Sequence, residues 1–191
     1  MKLAVITQEF FFENEAKIIN QLFCAGLLLL HIRKPHCTQT ELENLLKNIP
    51  EQYYNRIVLH DHFPLVEKYG LKGVHLNSRN KDFCVKGYSI SKSCHSIDEL
   101  KEFNSKCDYL FLSPIFNSIS KKGYHSYFTV HDLINAKNEG IINNQVFALG
   151  GIDIGNIPIV KEYGFGGVAV LGALWNAENI TSKFEELKAM L

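Results

Sequence analysis

Short β-branched and apolar runs alternate along this chain with longer stretches whose apolar positions recur every three or four residues. Residues 2–7 form the first strand candidate, and residues 14–25 a helix that Gly26 stops. Residues 27–33 begin with successive apolar positions, as in a strand covered on both faces. Residues 40–48 are helical by the spacing of Leu42, Leu45 and Leu46. Further strands are expected at 56–61, 73–76, 88–94, 109–115, 145–149 and 167–171, with helices at 64–69, 96–103, 130–137, 157–163 and 183–190. Ser96 followed by Glu99 matches a capping box, which satisfies two N–H groups left unpaired at a helix start. After residue 76 comes a polar stretch too short for a full helix.

Eight such units in succession argue for parallel strands, because a parallel connection needs a crossover. They can lie open as a doubly wound sheet or close as a barrel. At 191 residues the chain sits just under the ~200 usual for the shortest closed barrels. No Gly-, Pro- or Ser-rich linker divides it. The expected fold is therefore α/β, a compact (βα)₈ TIM barrel over residues 1–191 as one domain, with a shortened fourth helix.

Composition narrows the partners. Hydrophobic residues make up 46% and charged residues 21%, ordinary globular usage. Twenty cations balance twenty anions, and only three of the cations are arginine, so a nucleic-acid surface is not expected. No apolar run approaches the roughly 20 residues of a membrane span. The N-terminus lacks a signal-peptide pattern. Five cysteines (24, 37, 84, 94, 107), odd in number and without a CxxC pair, suggest a reduced, cytoplasmic protein. A homo-oligomer stays open.

In a (βα)₈ barrel, chemistry gathers at the C-terminal strand ends. Those ends carry His31-Ile32-Arg33-Lys34, His60-Asp61-His62, His75-Leu76-Asn77, Ser93-Cys94-His95, Ser113-Pro114 with Ser118 to Gly123, Gly150-Gly151 and Leu171-Gly172. Taken singly, a histidine here is more often a hydrogen-bonded interior residue, the loop a solvated one and the glycine pair a tight turn. Together, Arg33, Lys34 and Lys121 put cations on one rim beside hydroxyls and backbone N–H groups, which suits a phosphate or pyrophosphate. Asp61 is the one well-placed carboxylate, enough for Mg²⁺ only with substrate oxygens and water. His60 and His62 share a strand face but lack a third zinc ligand.

With these pieces in order, the chain resembles the thiamine phosphate synthase family, which includes the thiazole tautomerases. The resemblance runs nearly end to end, through His31-Ile32-Arg33, Leu59-His60-Asp61, Gly73-Val74-His75-Leu76, Ser93 to Glu99, Ser113-Pro114-Ile115-Phe116, Lys121-Lys122-Gly123, Ala148 to Ile152 and Gly167 to Val170. It implies a barrel that joins hydroxymethylpyrimidine pyrophosphate to a thiazole phosphate and releases pyrophosphate. It also implies Arg33 and Lys121 as pyrophosphate-binding, catalytic cations. Asp61 and Asn80 become Mg²⁺ ligands, and His31, Lys34, His60, Ser93, Ser118 and Ser120 further substrate contacts. Gly150, Gly151, Leu171 and Gly172 fall at the thiazole phosphate end.

The chain departs from the family at several of these places. His60 stands for an asparagine, His62 for an arginine, and the lysine after strand two is displaced to Lys34. Asn77-Ser78-Arg79-Asn80 replaces a Gly-Gln and an acidic pair, leaving an amide where a second carboxylate is expected. Pro114 occupies the position of the tautomerase histidine. The synthase reaction is the leading expectation. A tautomerase or another isomerase on the same barrel, and a binding module for thiamine precursors, are the alternatives.

Overall fold

Eight parallel strands close into a barrel in sequence order, β1 pairing with both β2 and β8. The structure, a computed structural model, describes residues 1–81, 86–117 and 128–191. The strands are β1 (Lys2–Ile6), β2 (Leu30–Ile32), β3 (Ile57–Leu59), β4 (Gly73–Leu76), β5 (Ser89–Cys94), β6 (Tyr109–Leu112), β7 (Val146–Leu149) and β8 (Gly167–Val170). The helices are α1 (Glu15–Cys24), α2 (Gln39–Lys47), α3 (Pro64–Tyr69), α4 (Ile97–Phe103), α5 (Val130–Asn138), α6 (Ile157–Glu162), α7 (Gly172–Trp175) and α8 (Ile180–Ala189). The expected (βα)₈ architecture is the observed one. Between β4 and β5 the described residues contain no helix, in keeping with the polar sequence there.

Alternation along each strand divides the apolar residues between two cores. Outward residues such as Leu3, Val5, Leu30, Leu110 and Val168 pack under the helices. Inward residues Ala4, Ile6, Val58, Tyr109, Phe111, Phe147 and Ala169 fill the barrel. Bulk on one strand is matched by its absence on the next. Gly167 is paired with Phe147 across β7 and β8, and a Cβ on Gly167 would fall 2.4 Å from the Phe147 ring.

Capping fixes where several helices start. Thr38 and Glu41 form a reciprocal box at α2, as do Thr129 and Asp132 at α5. At α4, Ser96 accepts from Glu99 N as expected, but the Glu99 carboxylate accepts from His95 N at 2.6 Å, one residue before the cap. The short helix α7 is pinned across the barrel mouth by Trp175, whose indole N–H donates to Ile6 O at 2.7 Å.

Candidate functional site

A cavity of about 770 Å³ opens at the C-terminal ends of the strands, and all eight strand ends or their following loops reach it. A second depression, of about 810 Å³, runs over α1 beside Asn14, Lys17, Asn20 and Cys24. Among the described residues that line it there is no histidine, carboxylate or arginine, so the barrel-mouth cavity is the candidate site.

Two imidazoles, His60 and His75, line the cavity floor, and a third, His31, lies beneath them. His31, His60 and His75 project inward from β2, the β3 end and β4, and all three are buried. Tyr109 Oη lies 2.8 Å from His31 Nε2, and His31 Nδ1 lies 3.0 Å from His60 Nε2. A neutral His31 therefore donates through one nitrogen and accepts through the other. His75 is held by Ser91 Oγ at 2.9 Å and Ser93 Oγ at 2.8 Å, and its ring stacks on His60 with centroids 4.2 Å apart. Burial holds His31 and His60 well below the ordinary imidazole pKa, and burial with the nearby Lys92 charge lowers His75 to about 3. The three ligand-capable atoms lie within 4.8 Å of one another. His31 and His60 nitrogens point at each other, however, which is hydrogen bonding and not convergence on an ion.

On the wall above, the loop after β4 is folded around Asn77. The Asn77 carbonyl oxygen of the side chain accepts from Arg79 N at 2.9 Å and Asn80 N at 3.2 Å, while its amide donates to His60 O at 2.6 Å. This turn delivers Arg79 to Asp61: Nε and Nη2 reach the two carboxylate oxygens at 3.1 and 3.3 Å. Asn80 Nδ2 donates to the same carboxylate at 3.1 Å. Asp61 and Asn80 are thus brought together, but on each other. One carboxylate with N–H donors on both oxygens, beside an amide presenting its nitrogen, does not fit a Mg²⁺ site built from protein oxygens.

Arg33 and Lys34 part company. Thr7 Oγ1 accepts from Arg33 N at 3.0 Å and fixes the backbone so that Arg33 lines the cavity, with Glu9 3.5 Å from its guanidinium. Lys34 turns the other way into the protein, onto Glu15 at 2.7 Å and Phe10 O at 2.8 Å. Lys92 lines the cavity as well, with its ammonium over the Phe103 ring at 4.6 Å.

On the opposite side, β6 continues into Ser113-Pro114, and Phe116 N donates to Gly150 O at 3.1 Å. Gly150 and Gly151 have φ values of 94° and 66°, in the left-handed region that glycine adopts without penalty. A Cβ on Gly151 would meet Asn117 O at 2.6 Å and Phe116 Cβ at 2.8 Å. The pair thus lets the loops after β6 and β7 lie against each other. Next to them, Leu171 leads into α7, and its carbonyl accepts from Leu174 N at 3.1 Å and Trp175 N at 3.0 Å.

Residues 3–174 match the family described as thiamine monophosphate synthase, a span that contains every strand but the first residue of β1. The chain belongs to the thiamine monophosphate synthase family. A thiamine phosphate pyrophosphorylase structure from Bacteroides thetaiotaomicron is 42% identical, with a TM-score of 0.91 over 100% of this chain and 97% of that one. One from Pyrococcus furiosus is 22% identical with a TM-score of 0.80, over 99% and 94%, a likeness of fold. The thiamine-phosphate synthase of Clostridium tetani is 24% identical over 90% of this chain and 85% of its own. That of Prochlorococcus marinus is 28% identical over 87% of this chain, which spans half of that longer protein.

Against this family background, the structure gathers Arg33, His60, Ser93, Gly150, Gly151, Leu171 and Gly172 on one cavity. His31 lies beneath it, fully buried under His60. The sequence reading of Lys34 as a substrate cation is corrected, because a strand reverses the direction of successive side chains and Arg33 takes the cavity side. His62, considered as a zinc partner of His60, donates from Nε2 to Cys37 O at 2.8 Å. Ser118, Ser120 and Lys121 fall outside the described residues. Sequence reasoning missed Arg79 as a site residue. The signal was available: it is one of three arginines, and it follows a strand end.

Proposed function

We propose that this member of the thiamine monophosphate synthase family joins hydroxymethylpyrimidine pyrophosphate to a thiazole phosphate, forming thiamine phosphate and releasing pyrophosphate. The observation that carries the reading is the family match across all eight strands that supply the cavity. Departure of pyrophosphate leaves a cation stabilised by the pyrimidine ring, which the thiazole nitrogen then captures. The site's main task is to stabilise negative charge on the leaving group. Arg33 on the cavity wall supports that role, and the resemblance adds Lys121, with Ser118 and Ser120, from the loop after β6. Ser93, anchored by His75, offers a hydroxyl to the pyrimidine side.

The phosphate of the thiazole partner belongs at Gly150, Gly151, Leu171 and Gly172. Support comes from the gathering of these four residues on one wall of the cavity and from the usual place of phosphate sites after strands seven and eight of such barrels. Mg²⁺ arriving on the pyrophosphate would reach Asp61 only by displacing Arg79, so the scheme rests on side-chain cations.

The deciding experiment incubates the protein with both substrates and follows thiamine phosphate and pyrophosphate together. Equal amounts of both products are expected. Binding of either substrate with no product would overturn the transferase reading in favour of a binding module.

A further inference from the structure

We propose that Arg79 takes the place of a divalent cation in this site: its guanidinium, anchored on Asp61, binds the pyrophosphate end of the substrate directly. This rests on the reading of the cavity as a pyrophosphate site. The Asn77 turn sets the backbone of Arg79, and its Nε and Nη2 grip Asp61 side-on. That grip uses two of five N–H donors. The end-on edge has no hydrogen-bond partner among the described residues, and Arg79 lines the cavity.

The arrangement copies what a metal does in such a place. A carboxylate fixes a positive charge that still has open coordination toward an anion. A guanidinium can do this because its planar fork matches carboxylate on one edge and phosphate oxygens on another. Arg33 lines the same cavity as Arg79, so a polyphosphate bound there meets a wall that carries both guanidiniums. A plain surface ion pair is the competing account. Such a pair contributes little to stability, and Arg79, whose side chain is 41% exposed, needs no backbone turn or Asn80 support for that purpose. The Asn80 amide fits the exchange as well. A second carboxylate would attract a metal, whereas Asn80 adds no charge and holds Asp61 in position for Arg79.

The test is calorimetric titration of the whole protein with inorganic pyrophosphate, once in EDTA and once in Mg²⁺. The native protein should bind in EDTA, and Mg²⁺ should change its affinity by less than about threefold. Arg79→Gln should weaken binding in EDTA by about tenfold or more, the loss of a bidentate charge-assisted contact. Arg79→Lys should recover only part, because a point charge lacks the fork. Circular dichroism checks the fold of each variant. Mn²⁺ alone, followed by electron paramagnetic resonance, should bind the Arg79→Glu/Asn80→Asp double variant at least about tenfold more tightly than the native protein, since carboxylates then surround the site. A native protein that binds pyrophosphate only with Mg²⁺ overturns the proposal. So does an Arg79→Gln variant whose affinity in EDTA stays within about twofold of native, because that contact is then absent. Metal-free pyrophosphate binding without formation of thiamine phosphate would sink the transferase reading and leave the role of Arg79 standing.

Discussion

Lys34 donates to both carboxylate oxygens of Glu15, at 2.7 and 2.9 Å, with the two side chains only 1% and 3% exposed. Burial is the largest influence on each group, pushing Glu15 up and Lys34 down from their ordinary pKa values. Removing one partner leaves the other charge buried and alone, at a cost of roughly 3–5 kcal/mol. Lys34→Met should therefore lower stability by that amount in urea unfolding, and the Glu15→Gln/Lys34→Met double variant should recover most of it. The double variant should also keep the native affinity for pyrophosphate. A loss of that affinity would return Lys34 to the substrate.

The imidazole floor makes stability pH-dependent. His31, His60 and His75 have folded-state pKa values below the unfolded value near 6.5, with His75 at about 3. Above pH 6.5 they are neutral in both states and contribute no slope. Below it the unfolded chain takes up protons that the folded chain refuses, so stability falls as pH falls toward 3. Three such groups give a limiting slope of about 4 kcal/mol per pH unit. Chemical unfolding at pH 7.5 and 5.5 should show a clear loss at the lower pH, and His31→Gln should reduce the slope by about one proton. Equal stabilities at the two pH values would mean that the folded cluster takes up protons as readily as the unfolded chain.

Much of this architecture was legible because local pattern and fold agree. All eight strands lie inside segments read as strands from the sequence, although β3 spans Ile57–Leu59 and not the longer 56–61 expected. Helix α8 begins at Ile180, before residue 183, because Asn179 accepts from Ser182 N and outweighs the weak helix preference of Ile-Thr. The four residues of α7 are too few to show a period, and they are held from afar by Ile6. At the site, the polar strand ends were readable as a set. The direction of Lys34 follows from strand alternation, once β2 is seen to include Ile32 at its end. The partnership of Arg79 with Asp61 was not readable, because it depends on a turn that brings residues 18 apart into contact.

Gly151 tests how far the glycine pair serves packing. Alanine there must adopt φ near 66° and place its Cβ 2.6 Å from Asn117 O. A non-glycine residue in such a conformation costs about 1–3 kcal/mol, and the contact must also shift the loop after β6. Gly151→Ala should therefore lose at least that much stability in urea. It should also weaken both the thiazole phosphate and pyrophosphate, because the loops of both ends move together. A variant of native stability that loses only thiazole phosphate would assign Gly151 to the ligand alone.

Lys121 separates leaving-group stabilisation from simple binding. If it meets charge that grows on the departing pyrophosphate, Lys121→Ala must lower kcat more than it raises KM. One preorganised charge-stabilising donor is worth roughly 10²–10³ in kcat, far more than a solvated lysine contributes. Arg33→Ala should raise KM as well, since Arg33 reaches the cavity before any chemistry begins. Lys122→Ala shares the sequence neighbourhood of Lys121 but no assigned contact, so its rate should stay near native. Steady-state assays of the three variants decide the matter. If Lys121→Ala turns over at the native rate, the leaving group is stabilised elsewhere, and Arg33 with Arg79 must carry the charge.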